Sequence, residues 1–303
     1  HMKKTIIASA IAAAVAAPAA FADVSISGMI NPEFSDADAS TGMASSTNTD
    51  VVIKGSEDLG NGMKASFKHH TYHDDGTNTV ADTSVTISGD FGTISTGRME
   101  TINMATFHGK SDNDASHDIN MEDDNGQQSR LNMVKYSSPS MNGLQFHVGL
   151  GVGTGDATST HATDGSDDAD TQEFALTYSN GGLSAGIATT TQEDGTNDEE
   201  VMNIFAKYKM DNLTVHVAHR DVENNNGGSA ATDDNKYTVY GASYAMGANT
   251  FAVAVADSDD GQDGDYTLSA KHALSKRTSV YLTIFEDDSA NQETTLVGVK
   301  HTF

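Results

Sequence analysis

Thr295-Leu296-Val297-Gly298-Val299-Lys300-His301-Thr302-Phe303, the last nine residues of the sequence, alternate in character. One face of an extended strand would carry Thr295, Val297, Val299, His301 and Phe303. The other would carry Leu296, Gly298, Lys300 and Thr302, small or polar apart from Leu296. Such a strand has few uses in a soluble core. It suits a membrane β-barrel, whose closing strand meets lipid on one face and a watery lumen on the other.

The same period of two recurs along the chain, between clusters of Gly, Asn, Asp and Ser. It predicts strands at Val24–Phe34, Asn48–Asp58, Met63–Asp74, Thr79–Asp90, Gly92–Arg98, Ser129–Ser138, Gly143–Val152 and Thr171–Asn180. The second half adds Gly182–Gln192, Glu199–Met210, Asn212–Val222, Asn235–Met246, Ala248–Ser258, Gly264–Leu274, Arg277–Asp287 and Glu293–Phe303. These make sixteen strands of an antiparallel transmembrane barrel, an even number that returns both chain ends to one side. Tight turns are expected at Asp58–Gly62, Gly89–Gly92, Ser179–Gly182, Met210–Asn212, Met246–Ala248 and Leu274–Lys276. Longer polar loops alternate with them, the longest being 99–128. Short turns at one rim and long loops at the other separate this layout from a soluble sandwich.

The N-terminus states an address. Lys3 and Lys4, an apolar stretch from Ile6 to Ala17, then Pro18 and Ala20-Phe21-Ala22 read as a secretory signal peptide over residues 1–22, cleaved before Asp23. Met2 reads as the natural start and His1 as a cloning remnant. No later stretch approaches the roughly 20 apolar residues of a spanning helix, so a membrane protein of this sequence must be a closed barrel. There is no cysteine, which removes disulfides and thiolate chemistry, and no tryptophan, which leaves any aromatic girdle to residues such as Tyr136, Tyr178, Tyr208, Tyr240 and Tyr244. The formal net charge is −26. That charge argues against nucleic acid as a partner. It is bunched, from Asp164 to Asp170, Glu193 to Glu200, Asp257 to Asp265 and Glu286 to Asp288, between alternating segments. A disordered chain would spread it.

Five segments carry a family resemblance. Lys54-Gly55-Ser56-Glu57-Asp58-Leu59-Gly60-Asn61-Gly62-Met63-Lys64-Ala65 is similar to the second strand and first turn of Gram-negative trimeric general porins. Gly89-Asp90-Phe91-Gly92-Thr93 with Thr96-Gly97-Arg98 resembles their fourth-to-fifth strand turn and a wall arginine. Val134–Pro139, Ala273–Thr278 and Val297–Phe303 resemble three further segments in the same order. The resemblance implies a 16-stranded barrel in the outer membrane of a Gram-negative bacterium. It further implies a homotrimer in contact with lipid and lipopolysaccharide, and a long third loop (99–128) folded into the lumen as a constriction.

Such a barrel leaves a water-filled channel, and selectivity then lies in the charges of its narrowest part. By resemblance Arg98 is a wall arginine and Lys135 a basic wall position, with Arg130 their neighbour. The sequence departs from the family at Asp50, where relatives commonly carry a lumenal arginine, and in a third loop without their Pro-Glu-Phe-Gly-type motif. That loop carries Glu100, Asp112, Asp114, Asp118, Glu122, Asp123 and Asp124 against Lys110. Acids lining a pore favour cations, so the expectation is a cation-preferring channel for ions and small hydrophilic solutes, without catalysis. Taken one at a time, the same acids also read as solvated loop charge.

No cofactor is called for. Asp257–Asp265 looks like a calcium loop, but with Gly264 at the frame's glycine the twelfth position is Ala270 instead of a bidentate Glu. Weak divalent-cation binding at the acidic loops stays open. His69 and His73 share a strand face about 13 Å apart, too far to hold one metal unaided, and His69, His70 and His73 read as polar rim or lumen residues. No nucleophile motif stands out. Two other readings stay open: a substrate-selective porin, for which the loop offers only Phe107 as an aromatic, and an extracellular acidic β-protein or adhesin.

Overall fold

The computed structural model describes residues 23–37, 40–44, 49–74, 77–107, 130–152, 170–193, 197–226, 235–258, 266–287 and 292–303. The proposed leader at 1–22 therefore lies outside the described residues. So do Lys110 and the loop acids Asp112, Asp114, Asp118, Glu122, Asp123 and Asp124.

Eighteen described strand segments form one antiparallel sheet that closes on itself. They are β1 (Asp23–Ile30), β2 (Glu33–Ala37), β3 (Ser40–Ala44), β4 (Thr49–Gly60), β5 (Met63–Asp74), β6 (Thr77–Gly89), β7 (Gly92–Glu100), β8 (Arg130–Ser137) and β9 (Leu144–Val152). There follow β10 (Asp170–Asn180), β11 (Leu183–Glu193), β12 (Asn197–Met210), β13 (Leu213–Asn226), β14 (Asn235–Met246), β15 (Asn249–Ser258), β16 (Tyr266–Ala273), β17 (Thr278–Asp287) and β18 (Gln292–Thr302). The barrel nonetheless has sixteen strands. The first is interrupted: β1 and β2 both lie along β18, separated by Asn31-Pro32, and β3 precedes β4 as the second stave. Proline has no N–H for a ladder, which explains the break.

Closure joins the first and last described strands. Met29 and Ile30 of β1 pair with Thr302 and His301 of β18, while Asp23–Met29 pair with Ser56–Asp50 of β4. Phe303 and Gly28 exchange backbone hydrogen bonds of 3.1 Å in both directions. Val297, Val299 and Phe303 face outward, 51%, 43% and 41% exposed, while Leu296 on the opposite face is 4% exposed. The terminal strand is thus apolar outside, as its alternation predicts. On the inner side Tyr281 of β17 stands over Gly298, where a Cβ would collide with its ring. Its hydroxyl donates to Glu33 Oε2 at 2.7 Å and lies 3.0 Å from Asn31 Oδ1, tying the interrupted first strand to the last two. Tyr281→Phe leaves a buried carboxylate short of a donor. It is expected to cost about 1–2 kcal/mol, read as a lower unfolding midpoint in detergent.

All six tight turns form, and a seventh joins β8 to β9 at Asn142-Gly143. Several turn residues hold left-handed backbone, among them Asn61 (φ 52), Gly62 (φ 75), Asn142 (φ 53) and Asp211 (φ 50). Asn, Asp and Gly tolerate that region best, which is why these residues punctuate the sequence. Phe91, Leu144, Phe146, Tyr208, Tyr244, Phe251 and Phe303 face outward within a few residues of the turns or the chain end. They form the tryptophan-free girdle expected at a membrane interface.

The lumenal wall and its inward helix

Lumenal positions follow from register, because side chains opposite one another across a ladder share a face. Outward markers such as Val85, Ile87, Ile94, Val134 and Leu150 are exposed hydrophobics; their neighbours in sequence line the interior.

After β7 the chain turns into the barrel. Ile102–Phe107 forms a single short helix, α1, lying on the inner face of β9–β12. Glu173 of β10 holds its start. Fully buried, the carboxylate accepts the Ile102 N–H at 2.6 Å, the Asn103 N–H at 3.2 Å and the Thr190 hydroxyl at 3.1 Å. The two N–H groups are among the backbone donors that a helix start leaves unpaired. Asn103 then donates to Thr190 Oγ1 at 3.0 Å and accepts from the Asn203 amide. The wall is trimmed to receive the helix. A Cβ at Gly149 would meet Ile102, Met133 and Glu173, and Ala175, Ala188 and Phe205 complete the apolar seat. Beneath α1 a cavity of about 330 Å³ opens, lined among others by Lys135, Gln145, His147, Thr177 and Phe205. His147 bridges Ser137 Oγ at 2.8 Å and Thr177 Oγ1 at 3.1 Å across three strands.

On the adjoining part of the wall, β4–β8, a charged network surrounds the two ends of that loop. Asp82 of β6 is its hub, taking Lys68 Nζ at 2.5 Å, His70 Nδ1 at 3.4 Å and Arg130 Nε at 3.4 Å. His70 Nε2 reaches Asp50 Oδ2 at 3.2 Å. Arg130 Nη2 donates to Glu100 at 2.9 Å and to the Tyr72 hydroxyl at 2.8 Å, with its guanidinium 5.3 Å from the Tyr72 ring centre. A bulge aims Asp82 into this group: Asp82 faces His70 but Val80 faces Thr71, so Ala81 is the extra residue. Three carboxylates (Asp50, Asp82, Glu100) thus meet two permanent cations (Lys68, Arg130) and one histidine.

The residues singled out from sequence divide accordingly. Asp50, Glu100 and Arg130 meet in one lumenal network, and Lys135 lies inside the barrel beside α1. Arg98 takes a different place in the ladder. It pairs with Thr83 and Asn132, on the face that carries Val85 and Val134, and so its register places it on the outer side of the sheet. Gly97 beside it has φ 126, a conformation that favours glycine. Glu100 and Arg130 face each other at the last rung of that ladder, where the chain turns inward, and so escape its alternation. Of the three clustered histidines, His70 is lumenal, whereas His69 bonds Thr83 Oγ1 at 2.9 Å and His73 bonds Asn78 at 2.5 Å on the outer face. Among the described residues no group of His, Cys, Asp and Glu could hold a metal. Sequence reasoning missed Lys68, Tyr72, Asp82 and Glu173. Lys68 and Tyr72 share a period-2 face with His70, a signal that was there to use; Glu173 gives no such signal.

A closed barrel with a polar interior and an inward helix defines a channel protein of the outer membrane, and the comparisons agree. The family model for Gram-negative porins matches residues 8–292, and the chain belongs to that family: it is an outer-membrane porin. It is 26% identical to outer membrane porin protein 32 of Delftia acidovorans, over 92% of this chain and 88% of that protein. Among solved structures it resembles an anion-selective porin from Comamonas acidovorans, with a TM-score of 0.75 and 20% identity over 93% of this chain and 100% of that one. It also resembles the Vibrio cholerae outer membrane protein OmpT lacking loop L8, with a TM-score of 0.77 and 12% identity over 93% and 99%. Identities this low speak to the shared fold alone.

Proposed function

We propose that this porin is a homotrimeric, passive diffusion channel for ions and small hydrophilic solutes, with a preference for cations. The carrying observation is the network at the loop's base, where Asp50, Asp82 and Glu100 outnumber Lys68 and Arg130 on the lumenal wall. The third loop adds acids against Lys110 as its one lysine or arginine. Fixed negative charge at a narrow passage raises the local cation concentration. The trimer draws support from the trimer form of Vibrio cholerae OmpT, a protein of similar fold. The signal peptide at 1–22 and contact with lipid and lipopolysaccharide belong to the same reading.

The test is a planar bilayer under a tenfold potassium chloride gradient. The zero-current potential is expected to favour potassium over chloride by about twofold to tenfold. An anion-favouring potential, the selectivity of the Comamonas acidovorans porin, overturns the preference. Absence of conductance overturns the channel.

A further inference from the structure

The cavity beneath α1 holds a cation with no counterion in contact. Lys135 of β8 lines it, half-buried in the inner wall. Among the described residues its ammonium makes neither an ion pair nor a hydrogen bond. Glu173 stands on the same rung of the ladder, with Gly149 between them. That carboxylate is taken up by the start of α1 and by Thr190. Arg130, the neighbouring lumenal base, is by contrast held by Asp82 and Glu100.

Neutral polar groups run on from Lys135. Along β9, Gly149 faces Lys135, His147 faces Ser137, and Gln145 faces Thr177 on the other side. Alternate residues of a strand stand about 6.6 Å apart, so the row from Gly149 to Gln145 is about 13 Å long. Hydrogen-bonding capacity is left over along it. A neutral imidazole has one N–H, so one of the two hydroxyls that His147 bridges accepts a proton and keeps its own to give. The Gln145 amide donates to the Ser138 carbonyl at 2.6 Å, while its side-chain oxygen has no partner among the described residues. Ala105 and Thr106 of α1 line the cavity from the helix side.

We propose that this cavity is a binding site for small hydroxylated carboxylates, of the size of a six-carbon sugar acid, which the channel holds in transit. The carboxylate lies on Lys135 in a charge-assisted contact for which the protein offers no competitor. Hydroxyls behind it accept from the Ser137–His147–Thr177 bridge and donate to Gln145. An extended six-carbon chain is roughly 6–7 Å long, which fits the row and a cavity of about 330 Å³. A three-carbon acid reaches Lys135 but not Gln145. A phosphate monoester brings a second negative charge, and the cavity lining has no second lysine or arginine to meet it. The site is a local exception within an acidic lumen. It rests on the diffusion reading above only in taking that lumen to be open to solutes.

Saturation-transfer NMR on the detergent-solubilised protein reads binding without any current. Gluconate should give a saturable signal with a Kd of about 1–10 mM, at least about tenfold tighter than glucose, which lacks the charge. Lys135→Met should weaken gluconate by about tenfold and leave the glucose signal as it was. Gln145→Ala should weaken gluconate by about threefold but leave lactate alone. Lys54→Gln removes a lysine elsewhere on the inner wall, opposite Lys68, and should leave gluconate within about twofold of wild type. In a planar bilayer, gluconate should lower the potassium current with a half-point near the same concentration. No gluconate signal, gluconate and glucose bound alike, or equal losses in Lys135→Met and Lys54→Gln overturns the site. A channel that conducts but fails these binding tests sinks this inference alone. Binding that passes them in a protein without conductance sinks the diffusion reading and leaves the site standing.

Discussion

Glu173→Ala is expected to widen the pore. It strips the acceptor from two backbone N–H groups and the Thr190 hydroxyl in a buried site, at a cost of about 3 kcal/mol in total. Because α1 is only six residues long, it has little stability of its own and depends on this anchor. Released from the wall, it should leave the constriction more open and less uniform. Single-channel conductance in 1 M potassium chloride should rise by about half, with noisier open states. Glu173→Gln keeps one acceptor oxygen and should show a smaller change. Wild-type conductance in both variants, with unchanged protease resistance at the third loop, would show that the helix stays seated without Glu173.

Asp82→Ala is expected to be the most destabilising single change at the lumenal wall. The carboxylate is almost fully buried and serves Lys68, His70 and Arg130 together. Removing one member of a buried ion pair costs about 3–5 kcal/mol; because Lys68 is partly exposed to the lumen, about 2–3 kcal/mol is the better expectation here. Urea unfolding in detergent reads the stability. The same variant frees two cations in the passage, so its zero-current potential should move toward chloride. Asp82→Asn should fall between it and wild type in stability but match its electrical shift. A shift in stability without one in potential would mark Asp82 as a strut only, remote from the ion path.

Most of the barrel can be read from local pattern, because strand alternation and two-residue turns are properties of neighbouring residues. Val297, Val299 and Phe303 show their outward face in nine residues of sequence, and Asn61-Gly62 or Asp211-Asn212 show a reversal in two. The lumenal site is legible only in part. Asp50 and Arg130 can be nominated one by one, but their meeting depends on the ladder between β4 and β8. Arg98 misleads because resemblance supplies a residue's place along the strand, whereas its face is set by the register with Thr83. The Ala81 bulge, which aims Asp82 inward, leaves no mark in composition. Glu173 looks like any strand carboxylate until α1 is laid across it, 70 residues away in sequence.

The seam between β1 and β18 carries a consequence for how the molecule is made. Its hydrogen bonds join Gly28 to Phe303 and Asn31 to Tyr281, partners 250 residues apart in the latter pair. Contacts of such separation form late, after the entropy of the intervening chain has been lost. Until the final stave arrives, the growing sheet has two raw borders ready to pair with any neighbouring chain. Nascent copies therefore need shielding until they are full length, and a fragment missing either terminus would aggregate before it could ever conduct.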